Sequence, residues 1–249
     1  MKVSQHQDDV FLYQGSTRQP GPLRSIIRSA AKWFPALFGA LAVVLLVAGI
    51  WLCVYGEAYF SLTHRLPADV LIVEGWIGSE GIRAAAAEFE RGGYKWIAAT
   101  GGETQDGNGP ANYAEMAARE LAQLGVPRER IVTAPSGEVE HERTFKSAVA
   151  AWRAIQMRGI HPASINVLTL GPHARRSRLV YAKVYAPSAQ VGVIAWAPSS
   201  YETEPWWRSS GRTKCFLKEI VGYPFEVLLN SGRVSNSPDW PKTGAGDPD

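Results

Sequence analysis

The stretch "DVLIVEG", residues 69 to 75, decides the fold. Four aliphatic residues in a row, Val70 to Val73, lead into Glu74 and Gly75. A strand with one wet face alternates apolar and polar side chains. A continuous apolar run ending in glycine fits a strand covered on both faces, as in a parallel sheet. Residues 79–92, "SEGIRAAAAEFERG", follow as a helix, capped by Ser79 and stopped at Gly92-Gly93. The next strand is "KWIAATGG" (95–102), and the next helix is "PANYAEMAARELAQLG" (110–125), with Pro110 near its start.

The alternation continues outward. "RIVTA" is a short strand, and "HERTFKSAVAAWRAIQMRG" is a helix stopped by Gly159 and Pro162. "SINVLTLG" is a strand followed by the helix "HARRSRLVYAKVY". "QVGVIAWA" (190–197) is the fifth strand, and "EPWWRSSGRTKCFLKEIVGYPFEVLLN" is a largely helical closing segment. Strand–helix alternation predicts an α/β, Rossmann-like domain over 66–232. Its mostly parallel sheet of about five strands carries helices on both faces. Residues 233–249, rich in Ser, Pro, Gly and Asp, read as a disordered tail.

Upstream, residues 34–54, "FPALFGALAVVLLVAGIWLCV", contain no charge. Their length matches the roughly 20 residues a helix needs to cross a bilayer. Trp33, Trp51 and Tyr55 stand near the ends, where interfacial aromatics belong. Lys2, Arg18, Arg24, Arg28 and Lys32 precede the run, and Glu57 follows it. The positive-inside rule puts residues 1–33 in the cytoplasm and the large domain outside it. The expected location is therefore a bacterial inner membrane crossed once, with the domain periplasmic or extracytoplasmic. The competing readings are a cleaved signal peptide, for which the apolar run is too long, and a buried core helix.

Composition excludes several classes. A net charge of +3 with no zinc-finger, RNP-like or basic DNA-reading element gives no case for a nucleic-acid partner. Two cysteines, Cys53 and Cys215, make neither a disulfide framework nor a Cys-rich zinc site. His141-Glu142 begins HExxH, but residue 145 is Phe, so no metal site is expected. There is no GxSxG elbow, P-loop or GxGxxG, so no cofactor is assigned.

Ligands of parallel sheets bind at strand carboxyl ends. That rule selects Glu74-Gly75, Thr100-Gly101-Gly102 and residues 171–176. The glycines permit a sharp turn or the approach of backbone amides to an anion, and a tight turn alone explains them as well. Glu74 is either a general base or ligand contact, or the partner of a nearby arginine. In "LTLGPHARRSR" (168–178), His173 and Arg176 share a helix face that Val180 and Val184 continue. Cations are unfavourable at a helix N-terminus, so their presence predicts an anion that offsets them. Arg175 and Arg178 read as a solvated face.

"DVLIVEG", Arg83, "ATGG", "YAEMAARELAQLGVP", Thr144 and "LTLGPHARRS" occur in an order that resembles the YdcF/SanA/ElyC-like family. The resemblance spans roughly residues 69 to 196. It implies a Rossmann-like fold, often with an N-terminal membrane segment, and a role in envelope biogenesis that includes handling of lipid carriers. One soluble member is associated with S-adenosylmethionine. The chain departs from the family where Thr-x-Glu-Asn becomes Thr144-Phe145-Lys146-Ser147, and where Leu170 and Pro172 precede the histidine. The family's pocket carboxylate is then missing or supplied by Glu74 or Glu142.

Two functions are open at this point. One is an enzyme acting on an anionic small molecule or polyprenyl-phosphate-type lipid, with His173 and Glu74 in the chemistry. Arg176, Gly75, Thr100, Gly101, Gly102, Arg83, Glu115, Arg143 and Thr144 would then surround the substrate. The other is a non-catalytic module, either for an S-adenosylmethionine-like or nucleotide-like ligand or for envelope assembly. In that case "YETEPWWRSS" (201–210) is a contact patch, unless Trp206 and Trp207 cover the sheet edge.

Overall fold

A computed structural model describes residues 22–104, 112–137 and 142–229, with side chains omitted at 22–32 and 202–203. Pro110, Glu138, Glu140, His141, the first 21 residues and the 233–249 tail lie outside the described residues. The chain divides into two units, Met1–Trp51 and Leu52–Asp249.

The first unit is helix α1 (Pro22–Trp51), with Pro35 inside it. Trp33–Phe60 is helical, long and apolar enough to cross a membrane, and its apolar window is entirely unburied. This agrees with the uncharged run at 34–54.

The second unit opens with a π turn (Leu52–Gly56) and the short α2 (Glu57–Phe60). It then alternates β1 (Val70–Glu74), α3 (Gly78–Gly92), β2 (Trp96–Gly101), α4 (Tyr113–Gln123) and β3 (Ile131–Pro135). α5 (Arg143–Met157), β4 (Ser164–Leu170), α6 (Ala174–Tyr185) and β5 (Gln190–Trp196) complete the alternation. α7 (Ser200–Thr203) and α8 (Ser210–Leu228) are the last helices among the described residues. The five strands are parallel, in the order β3-β2-β1-β4-β5. The chain winds outward from β1 on one side, then returns to place β4 on the other. The switch point therefore lies between the carboxyl ends of β1 and β4.

Both sheet faces are covered, as the unbroken apolar run of β1 predicts. Val70 and Ile72 face a layer that includes Phe145, Trp152, Val180 and Tyr181 from α5 and α6. Leu71 and Val73 face Ile82, Phe89, Ala117 and Leu121 from α3 and α4. Val180 and Val184 anchor α6 in the core, as their four-residue spacing implies.

Local details differ from the sequence reading. Ser79 does not cap α3; a 3-10 turn (Gly75–Ile77) precedes the helix and Ser79 falls inside it. α4 is capped by Asn112, whose Oδ1 accepts from the Glu115 amide at 2.8 Å. The closing segment is not one helix: a 3-10 turn (Trp206–Arg208) precedes α8, which starts on a Ser209 cap.

The connector before β1 is fastened to the domain. The Asn166 amide mimics a strand, accepting from the Leu66 amide at 2.9 Å and donating to the Leu66 carbonyl at 2.7 Å. His64 bridges Val193 in both directions, at 2.7 and 2.8 Å. Arg65 pairs through two nitrogens with buried Glu88. Arg212 of α8 pairs with Glu57 at 2.5 and 2.6 Å.

Candidate functional site

Glu74 ends β1, and His173 closes the 3-10 turn Gly171–His173 after β4. The apolar runs of these paired strands hold the two residues together at the switch point. His173 Nε2 lies 3.6 Å from Glu74 Oε2, and both side chains are buried. Glu74 accepts from Thr169 Oγ1 at 2.5 Å and from Ser177 Oγ at 3.2 Å.

A carboxylate that the sequence reading missed completes the site. Glu219 of α8 is 1% exposed, and its Oε1 lies 2.8 Å from His173 Nδ1. Arg176 donates to the same carboxylate twice, Nε to Oε2 at 2.6 Å and Nη2 to Oε1 at 2.9 Å. Burial pushes the Glu219 carboxyl up, but hydrogen bonds from Arg176 and His173 outweigh it and hold it at about 2. Burial pulls the Arg176 guanidinium down, and the Glu219 carboxylate more than reverses this, so its pKa is raised. The anion that offsets the cations at the start of α6 is therefore the protein's own Glu219.

Nδ1 faces both an acceptor, Glu219 Oε1 at 2.8 Å, and a donor, Arg176 Nη2 at 3.0 Å; in the tautomer that donates from Nδ1 to Glu219, Nε2 presents a lone pair. Thr144 Oγ1, at the start of α5, lies 3.3 Å from that nitrogen. The hydroxyl–imidazole–carboxylate order Thr144–His173–Glu219 is the arrangement of an activated hydroxyl with an oriented base. Glu74 and Glu219 flank the ring from its two nitrogens, 3.6 Å from Nε2 and 2.8 Å from Nδ1. Glu74 then stands beside Nε2 at the moment it takes a proton. Trp76 packs edge-on against the ring, with centroids 5.3 Å apart, and excludes water from that side.

Other candidate residues are placed differently. The Thr100 hydroxyl is fully buried and donates to the Ala134 and Ser147 carbonyls at 2.9 and 3.1 Å, so it faces backbone rather than a ligand. Gly75 is required by packing: a Cβ there would lie 2.3 Å from the Tyr113 carbonyl oxygen. At Gly101 a Cβ would meet the Tyr113 Cβ at 2.7 Å. The Gly102 carbonyl accepts from the Tyr113 amide at 2.8 Å. Glu115 is engaged by Asn112 at 3.1 Å and Arg119 at 3.5 Å, and none of these contacts reaches His173. Arg83 is exposed on α3 and has no ion pair among the described residues. Glu142 is exposed, so of the two carboxylates proposed for the pocket only Glu74 enters it.

Arg175 and Arg178 are not a solvated face. Arg175 Nε donates to the Tyr59 carbonyl at 2.6 Å, and its guanidinium stacks 3.8 Å from the Tyr59 ring centroid. Arg178 donates to the Val191 carbonyl at 3.1 Å. Trp206 and Trp207 do not cover the sheet edge either. Trp206 packs on Phe216 with ring centroids 4.5 Å apart, and Trp207 is 56% exposed.

Two exposed cations border the site. Arg143 precedes Thr144 and Lys218 precedes Glu219, and neither has an ion pair among the described residues. Partial desolvation, then the nearby Arg143 and Arg176 guanidinium groups, push the Lys218 ammonium down. No protein-family profile matches the chain, and comparison with curated proteins returns no match.

Proposed function

We propose that this is a membrane-anchored α/β enzyme of the YdcF-like type. It acts outside the cytoplasm on a phosphate-bearing envelope precursor, such as a polyprenyl-phosphate-type lipid. The observation that carries the reading is His173, held by Glu219 at Nδ1 and faced by Thr144 at Nε2. A histidine so oriented accepts the Thr144 proton, or that of a substrate hydroxyl or water, and returns it to the leaving group. Glu74 and Glu219 stabilise the imidazolium in between. Arg176 is already engaged by Glu219, so the incoming phosphate falls to Arg143 and Lys218, rim cations with no ion pair among the described residues. The basic leader before the apolar run supports an N-terminus inside and the domain outside.

Native mass spectrometry of the full chain extracted from membranes tests the reading. A phosphate-containing lipid or sugar should copurify. Wild type should convert it on incubation, whereas His173→Ala should retain it unchanged. Copurification of no phosphate-bearing species would sink the substrate class; retention without conversion by wild type would leave a binding module.

A further inference from the structure

α8 is built inside out. Its inner face buries Phe216 together with two carboxylates, Glu219 and Glu226. Its outer face carries Leu217, Val221, Phe225 and Leu228, which are 50%, 71%, 49% and 72% exposed. Positions three and four apart share a helix side, so these four form one continuous apolar row. A row of this kind left open to water marks a contact surface.

The entry of the chain says what covers it. The uncharged run extends to Tyr55, and its last residues belong to the same unit as α8. Gly56 abuts α8 so closely that a Cβ there would lie 2.7 Å from the Phe216 ring. Phe60 meets Phe216 and Tyr223 edge-on, with centroids 6.0 and 5.9 Å apart. The Trp206 indole, just before α8, donates to the Cys53 carbonyl at 3.1 Å. α8 therefore stands beside the segment where the apolar run ends, and Val54 and Tyr55 of that run are themselves exposed. Lys214 and Lys218 flank the row on its exposed side. Apolar side chains edged by lysines are the composition of a helix lying in the headgroup layer of an anionic membrane.

We propose that the outer face of α8 docks on the surface of an anionic bilayer. Glu219 projects from the opposite face of the same helix, so His173 stands about one helix diameter, ~10 Å, from the lipid surface. Under the proposed function, a phosphate on a lipid carrier would then lie near the site without leaving the membrane. This inference rests on residues 34–54 spanning the bilayer, and is independent of any chemistry at His173.

The test uses the full chain, with Cys53→Ser and Cys215→Ser, in nanodiscs of mixed zwitterionic and phosphatidylglycerol lipid. Nitroxide labels are placed at Val221→Cys, Phe225→Cys and, as a reference, Arg153→Cys on the exposed side of α5. Labels at 221 and 225 should be relaxed more strongly by oxygen, which concentrates in lipid, than by a water-soluble nickel chelate; the label at 153 should show the reverse. Nickel relaxation at 221 and 225 equal to that at 153 would overturn the proposal. Shielding from both agents would assign the face to a protein contact, with spin–spin broadening identifying a second copy, and would also overturn it. Release of the chain from native membranes by alkaline carbonate would remove the premise that 34–54 spans the bilayer, while leaving the His173 reading to its own test.

Discussion

Two carboxyl-end loops of the same sheet, after β2 and after β4, look alike in sequence and differ in what their polar groups do. Both follow an apolar strand, and both begin with glycine. After β2, Thr100 donates to two carbonyls and Gly101 is fitted against Tyr113. That loop's hydrogen-bonding capacity is turned inward, to join β2, β3, α4 and α5. After β4, His173 meets Glu74, Glu219, Arg176 and Thr144, all of them converging on one ring. A glycine turn at a strand end is thus as readily a packing device as a ligand cradle. Polar groups that converge on one atom are the better sign of a site.

The comparison can be broken at its strongest point first. Glu219→Gln keeps the shape but removes the charge that Arg176 and His173 share. Leaving a buried guanidinium without its counter-ion costs about 3 to 5 kcal/mol, read as a lowered denaturation midpoint. Turnover should be lost with it, because the ring's orientation and imidazolium stabilisation both go. The sign with pH follows from a folded carboxyl depressed from 4.5 to about 2. The Glu219 contribution is fully present above 4.5 and is lost as pH falls through about 2. Stability of wild type should converge on that of Glu219→Gln over this window; a constant gap between them would contradict the assigned ion pair.

Gly101→Ala probes the other loop. The new methyl group meets Tyr113 at 2.7 Å, and overpacking of this kind costs about 1 to 3 kcal/mol. Substrate affinity of the surviving folded fraction should be unchanged, and a specific affinity loss would restore the loop as a ligand cradle. Thr100→Val should cost about 1 kcal/mol, the net worth of an ordinary hydrogen bond, again without a binding effect. The smallest effect belongs to Arg83→Ala. An exposed side chain without a partner among the described residues should change stability by less than about 0.5 kcal/mol. A large loss of turnover there would place substrate over α3.

Much of the fold was legible because buried parallel strands write themselves as unbroken apolar runs. β1, β2, β4 and β5 all appear within a residue or two of their sequence-derived limits. The pairing of His173 with Arg176 was legible from a three-residue helical spacing, and Glu74 from its place at a strand end. Glu219 was not. It lies 46 residues from its histidine partner, and no local periodicity joins them. Nor does the pattern of α8 point to it, because the helix turns the carboxylates Glu219 and Glu226 inward and leaves Leu217, Val221 and Phe225 exposed. Arg175 and Arg178 were misread for a related reason. Their partners are backbone carbonyls of Tyr59 and Val191, and such acceptors leave no mark in a sequence.

The fastened connector has a mechanical meaning. A free chain as long as residues 52–66 could extend on the order of 50 Å and would let a tethered domain roam. Here Glu57, His64, Arg65 and Leu66 are each bound to the domain by side-chain or backbone contacts. Almost no slack remains between the end of the apolar run and the sheet. If residues 34–54 span a bilayer, as proposed, so short a leash would hold the candidate site in a thin layer rather than a volume. Encounter would be governed by lateral diffusion in two dimensions, and a soluble competitor in bulk solution would compete on poor terms.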